Sequence, residues 1–196
     1  MLKVGITGGI GSGKTQVCQV FETLGIPVFN ADTAAKKIME TDNEVVKQIT
    51  KLLGAEAYIN GKINRSWLSS ILFQDEKKRT ALNAIVHPAV IAFGQEWMNR
   101  QQAAYVLKEA ALFFETGSNK EMDYMIGISA PVDLRLKRAM KRDHLDETTI
   151  RQKMAAQMDE KEKMMRCQFI ILNDDETAII PQVLSIHQQL LALAKN

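Results

Sequence analysis

At 196 residues, with 46% hydrophobic and 24% charged side chains, the chain can bury a substantial core, which excludes extended disorder and favours one elaborated domain over two independent ones. A formal charge of +2 is too small for nucleic acid as a bulk partner, and no apolar run approaches the length that spans a bilayer. The cysteines, Cys18 and Cys167, form no CxxC pair, which argues against a disulfide framework or structural zinc; with no leader-like pattern ahead of the first apolar run, the expected location is cytoplasmic.

In chain order, the first element is the apolar run Leu2 to Ile6, a strand, followed at once by "GGIGSGKT", Gly8 to Thr15. The block fits G-x-x-x-x-G-K-[ST] between a strand and a helix, the context that lets backbone N–H groups and a helix N-terminus surround a phosphate. Lys14 adds a full charge for the β- and γ-phosphates, and the Thr15 hydroxyl is placed to ligate a Mg²⁺ ion bridging them. Val17, Val20, Phe21 and Leu24 recur at helical spacing, so a helix is expected from Lys14 to Leu24, with Gly25 as its stop. "IPVFNAD" reads as a second strand, and a β-α-β unit of this kind brings Asp32 to the carboxyl end of a parallel sheet. There its carboxylate suits a general base taking a proton from an acceptor hydroxyl; Asp is equally a favoured helix N-cap, and both roles stay open.

From residue 33 to about 102 the pattern is mainly helical, interrupted by the "NGK" turn at 60–62 and by Pro88. "YVLKEAALFFE" and "DYMIGISA" supply the third and fourth strands, and "CQFIILND" the fifth. Glu109 ends the third strand pattern, where an acid can bond metal-bound water or simply face solvent; Glu115 is a weaker case of the same kind. Between the last two strands come "VDLRLKRAMKRD", a basic helix, and "ETTIRQKMAAQMDEKEKMM", a polar, Met-rich helical stretch. Arg135, Arg138 and Arg142 share one helical face, as a phosphate-binding lid or a solvated surface would have it, with Leu136, Ala139 and Met140 opposite. An amphipathic helix from Pro181 to Ala194 closes the chain. The histidines, His87, His144 and His187, are scattered without metal-ligand spacing, and His87 before Pro88 suits a helix cap or a substrate contact.

The expected fold is therefore α/β: a P-loop NTPase-like parallel five-stranded sheet flanked by helices, with a helical substrate-binding insertion and a helical lid. One domain is expected, its nucleotide core at about 1–32, 103–134 and 166–196, its acceptor-binding segment at about 33–102 and its lid at about 135–165.

Along nearly its whole length the sequence resembles dephospho-CoA kinases. The likeness is carried by "GITGGIGSGKT", "LGIPVFNAD", "GKINRSWLSSILF", "LNAIVHP", "ALFFETG", "RLKRAMKRD", "AAQM" and "FIILND" in that order. The resemblance implies transfer of the ATP γ-phosphate to the ribose 3′-hydroxyl of dephospho-CoA, giving coenzyme A and ADP, with ATP and Mg²⁺ as the required small molecules. Carried over by position, Gly11, Ser12, Gly13, Lys14, Thr15 and Gln16 would bind ATP together with Arg138, Arg142 and Asn173, the last near the adenine. Asp32, Lys14 and Arg142 would be catalytic, Thr15 would hold the metal, and Asp32, Arg65 and His87 would contact dephospho-CoA. A small-molecule partner is implied, with no nucleic acid or membrane, in a monomer or weak homo-oligomer. Three positions depart from the family pattern: Asn30 where it often has Asp, Ala111-Leu112-Phe113 where it usually has Pro-Leu-Leu, and Asp174-Asp175 where a glycine commonly follows the Asn.

Overall fold

A computed structural model gives the fold and describes residues 1–195, the side chains of Phe73 and Gln74 excepted. The chain divides into two compact units, one built from Met1–Phe29 with the residues from Gln101 onward, the other from Asn30–Arg100.

The first unit is built on a five-stranded sheet in the order β2-β5-β1-β6-β7, made by β1 (Leu2–Gly8), β2 (Val28–Asn30), β5 (Tyr105–Glu109), β6 (Tyr124–Ser129) and β7 (Phe169–Leu172). β1 pairs in parallel with β5 and β6, and β6 in parallel with β7. Strand alternation decides the core. Val4, Ile6, Tyr105, Leu107, Ile126, Ile128 and Ile171 form one cluster with α1 (Lys14–Thr23) and α10 (Ile179–Leu193), which contribute Val17, Phe21, Val183, Ile186 and Leu190. Tyr105 adds a polar tie, its hydroxyl 2.7 Å from Nδ1 of His187 on α10. On the other face Gly127 leaves room for Met164: a Cβ there would lie 2.6 Å from its sulfur.

The same unit contains α6 (Phe113–Thr116), α7 (Val132–Asp143), α8 (Glu147–Ala155) and α9 (Glu160–Met165). The stretch expected to be helical from 147 to 165 is thus two helices, because Asp159 accepts from the N–H groups of Lys161 and Glu162 and starts a new one. Met164 is buried and Met154 packs on the Leu136, Ala139 and Ile150 cluster, whereas Met165 is exposed.

The second unit holds α2 (Ala31–Thr41), α3 (Asn43–Leu53), α4 (Arg65–Gln74) and α5 (Glu76–Asn99), with a two-stranded hairpin of β3 (Tyr58–Ile59) and β4 (Lys62–Ile63). The expected turn is present: Asn60 and Gly61 both take positive φ, as a two-residue hairpin loop requires. The expected break at Pro88 is not. Pro88 lies inside α5, and His87 is therefore within a helix rather than capping one. Proline removes one backbone hydrogen bond, but Leu82, Val86, Val90, Gly94 and Met98, spaced four residues apart, are all buried and keep the helix continuous. Leu190→Ala, at a fully buried core position, should destabilise the protein by about 3 kcal/mol in equilibrium urea unfolding.

Candidate active site

The glycine-rich loop runs from the end of β1 into the start of α1. Gly13 is the N-cap of α1 in the left-handed region, φ 89°, and offers no side chain to its first turn. Six other helices, α2, α3, α4, α5, α8 and α9, each have an Asn or Asp cap accepting first-turn N–H groups. α1, like α6, α7 and α10, therefore starts without a side-chain cap, and its positive end faces the loop. Gly13 also permits a close approach, since a Cβ there would lie 2.1 Å from Nδ2 of Asn173.

Lys14 folds back over this loop, its ammonium donating to the carbonyls of Gly8 at 2.9 Å and Gly9 at 3.3 Å. Thr15 and Gln16 are exposed on the first turn of α1. The Thr15 hydroxyl donates to Glu109 Oε1 at 3.2 Å. Glu109 shares the strand parity of Tyr105 and Leu107, so it points to the face that α1 covers, and it is 6% exposed. That overturns the solvent-facing alternative for Glu109, which is a buried partner of the loop threonine. Beneath it the Cys18 thiol is pushed up by burial and by the Glu109 carboxylate. Among the described residues no cluster of three or more His, Cys, Asp or Glu could hold a metal ion by itself. The hydroxyl and carboxylate oxygens of Thr15 and Glu109 are nevertheless hard donors of the kind Mg²⁺ takes when it arrives on a nucleotide, still carrying water.

Ser12 is fully buried; its N–H donates to the Gly9 carbonyl at 3.2 Å and its carbonyl accepts from Asn173 Nδ2 at 2.8 Å. Asn173 is likewise buried, with Arg138 donating to its carbonyl at 3.0 Å and to its Oδ1 at 3.3 Å. Arg138 also pairs with Asp175, which takes φ 67° where the family pattern has a glycine nearby. Gly11, Ser12, Gly13, Lys14, Thr15, Gln16, Arg138 and Asn173 therefore meet at one end of the sheet. Arg142 stands on the exposed last turn of α7, paired with Asp143 at 2.7 Å. Of the three arginines expected on one face of α7, Arg135 is buried, so the solvated-surface alternative does not hold for it. Gly9, Arg135, Arg151, Gln157 and Lys163 line a cleft of about 380 Å³ beside the loop.

The remaining expected residues lie in the second unit. Asn30, not Asp32, caps α2, its Oδ1 accepting from Thr33 N–H at 2.7 Å; Asp32 is exposed in the first helical turn. Arg65 begins α4 and reaches Glu40 of α2 at 4.0 Å. His87 is half-buried, and burial holds its pKa below the ordinary histidine value, so it is neutral at pH 7. Phe73, within the quoted motif series, has its side chain outside the described residues. What sequence reading missed is Lys163, 1% exposed, donating to the Ala111 carbonyl at 2.8 Å and to Glu115 at 3.0 Å. Its only sequence signal was a lysine in a helical stretch, which ordinarily reads as surface.

The chain matches the family model described as dephospho-CoA kinase over residues 2–178. A dephospho-CoA kinase of Bacteroides fragilis is 36% identical over 186 residues, covering 94% of this chain and 91% of that protein. Among solved structures, TT1252 from Thermus thermophilus superposes with a TM-score of 0.82 at 31% identity, covering 98% of this chain and 97% of the other. A dephospho-CoA kinase from Campylobacter jejuni superposes with a TM-score of 0.70 at 27% identity, covering 97% of each chain.

Partial burial raises the Glu115 pKa, but the Met158 N–H at 2.9 Å and Lys163 outweigh it and hold the carboxyl below the ordinary glutamate range. A depressed carboxylate stabilises the fold above its unfolded pKa, about 4.3, and that contribution is lost as pH falls through the folded value. Glu115→Gln should therefore be less stable than the parent at pH 7, with the gap narrowing below about pH 4.3 in urea titrations run at stepped pH.

Proposed function

The chain belongs to the dephospho-CoA kinase family, and on that premise we propose that it transfers the γ-phosphate of ATP to the 3′-hydroxyl of dephospho-CoA, giving coenzyme A and ADP, the last step of coenzyme A synthesis. The observation that carries the chemistry is the start of α1, where Gly13 places no side-chain cap on the helix beside Lys14 and the Thr15–Glu109 pair. Phosphoryl transfer asks a protein mainly for positioning and for charge opposite the transferring group.

In this reading the loop N–H groups and the α1 terminus hold the β- and γ-phosphates. The Lys14 ammonium exchanges its two loop carbonyls for phosphate oxygens, so its charge is already oriented when nucleotide enters. Thr15 and Glu109 would provide the protein's oxygen donors toward Mg²⁺. When bound, Mg²⁺ neutralises charge between the β- and γ-phosphates. Arg138 and Arg142, on α7, belong to the nucleotide side and oppose charge on the transferring phosphate. Asn173 acts there through the Ser12 carbonyl and Arg138.

Asp32 is assigned as general base. The 3′-oxygen forms its bond to the γ-phosphorus, its proton passes to the Asp32 carboxylate, and the bond from the γ-phosphorus to the bridging oxygen breaks with its electron pair leaving on ADP. The helix is already capped by Asn30, which leaves the Asp32 carboxylate available for this role. Arg65 supplies positive charge and His87 a neutral hydrogen-bonding ring for dephospho-CoA. The helical segment 33–102 is assigned to the acceptor and 135–165 to the lid.

The assay is ADP release from Mg-ATP with dephospho-CoA, against shikimate, gluconate, AMP and no acceptor. Turnover confined to dephospho-CoA, with coenzyme A recovered, is the expected result; turnover with another alcohol instead would refute the acceptor assignment. Asp32→Asn should lower kcat by about 100-fold or more with the KM for ATP within about threefold, whereas a matching loss of ATP affinity would refute the general-base role. Lys14→Ala should reduce kcat/KM for ATP by at least about 100-fold in the same assay, and normal turnover would contradict the site.

A further inference from the structure

We propose that Arg135 and Gln157 are positioning residues that grip both main-chain polar groups of Ile10 and hold the phosphate loop in its nucleotide-binding form before ATP arrives. The Ile10 carbonyl accepts from Arg135 Nε at 3.2 Å, and the Ile10 N–H donates to Gln157 Oε1 at 3.0 Å. Ile10 sits between Gly9 and Gly11, in the part of the loop that no secondary structure supports.

Each arm of the grip is anchored behind. Arg135 is 6% exposed and ion-paired with Glu160, whose Oε1 accepts from Ala130 N–H at 3.2 Å and Ser129 Oγ at 3.3 Å at the end of β6. The guanidinium lies so close to the loop that a Cβ on Gly9 would be 2.6 Å from its Nη2. Gln157 lies between α8 and α9, and the residue after it is fixed by Glu115, which accepts from Met158 N–H at 2.9 Å and pairs with buried Lys163. One arm is therefore fastened to the sheet and the other to the α8–α9 connection.

A loop with glycines at 9, 11 and 13 loses much conformational freedom when it is fixed, and a loop that must be fixed on binding binds weakly. Two hydrogen bonds made in advance remove that cost. They act on the loop rather than on the reacting atoms, so their loss falls on ATP affinity and not on the chemical step.

The proposal rests on the loop being the ATP site, and the experiment separates the two. Mg-ATP binding without acceptor is measured by calorimetry on the full chain, with amide hydrogen exchange of Ile10 followed by NMR. No binding by the parent protein would sink the assignment of the ATP site itself. With the parent binding, Gln157→Met should raise Kd and the KM for ATP about tenfold, leave kcat within about twofold, and speed Ile10 exchange in the nucleotide-free protein. Unchanged Ile10 exchange, or ATP binding as tight as the parent's or tighter, overturns the grip; tighter binding would mean that Gln157 competes with phosphate for the Ile10 N–H. Arg135→Gln should move the same quantities in the same direction where it folds, and Gln157→Met decides the matter where it does not.

Discussion

A loop suited to binding phosphate through its N–H groups can give few of them to holding its own shape; here Ser12 N–H closes a turn on the Gly9 carbonyl and Ile10 N–H goes to Gln157. The glycine-rich segment between β1 and α1 meets that constraint by taking much of its support from outside. Asn173 holds the Ser12 carbonyl, Lys14 spans the Gly8 and Gly9 carbonyls, Glu109 receives the Thr15 hydroxyl, and Arg135 and Gln157 take the two sides of Ile10. The supports come from β5, α7, the α8–α9 connection and the end of β7, so the sheet and its later helices act as the scaffold of a short loop near the start of the chain. Hydrogen bonds of about 1 kcal/mol each suffice for this because each also satisfies a polar group that would otherwise be costly beside the core.

The connection after β5 shows the same economy. Lys108, 3% exposed, reaches Glu121 at 3.7 Å and lies over the Phe113 ring, while Lys163 enters from α9 to the Ala111 carbonyl and Glu115. Burial lowers the Lys108 pKa, and Glu121 offsets part of that fall. Where the family pattern usually has a proline in this connection, the chain has Ala111 at a position whose carbonyl takes a charged donor. A buried lysine without an acceptor is strongly disfavoured, so these pairings fix the path of residues 110–121 more than they add stability.

The other two departures from the family pattern also have local physical accounts. Asn30 replaces an acid but still caps α2, since an Asn carbonyl accepts from Thr33 N–H as a carboxylate would. Asp175 occupies positive φ, tolerated by Asp better than by bulkier residues, and returns a carboxylate to Arg138.

The strand, glycine loop and helix at the start of the chain were readable from residue order alone, because backbone freedom at glycine, helix-terminal polarity and the reach of Lys14 are local properties. The five strands were readable too, from their apolar runs. Helical spacing placed Arg135, Arg138 and Arg142 on one face, but periodicity does not say what covers a face, and only the packing of α7 against the loop buries Arg135 while leaving Arg142 in solvent. Pro88 was misread for a related reason: the rule that proline breaks helices is local, and the buried face of α5, with four apolar side chains and Gly94, outweighs it. Gln157 entered the sequence reading only within the quoted "AAQM" piece and without a role, since an amide between two helices takes its meaning from Ile10, 147 residues earlier. The sequence by itself determined the strand, glycine loop and helix assigned to phosphate; tertiary structure decided which side chains hold that loop still, because those contacts join residues that no local pattern relates.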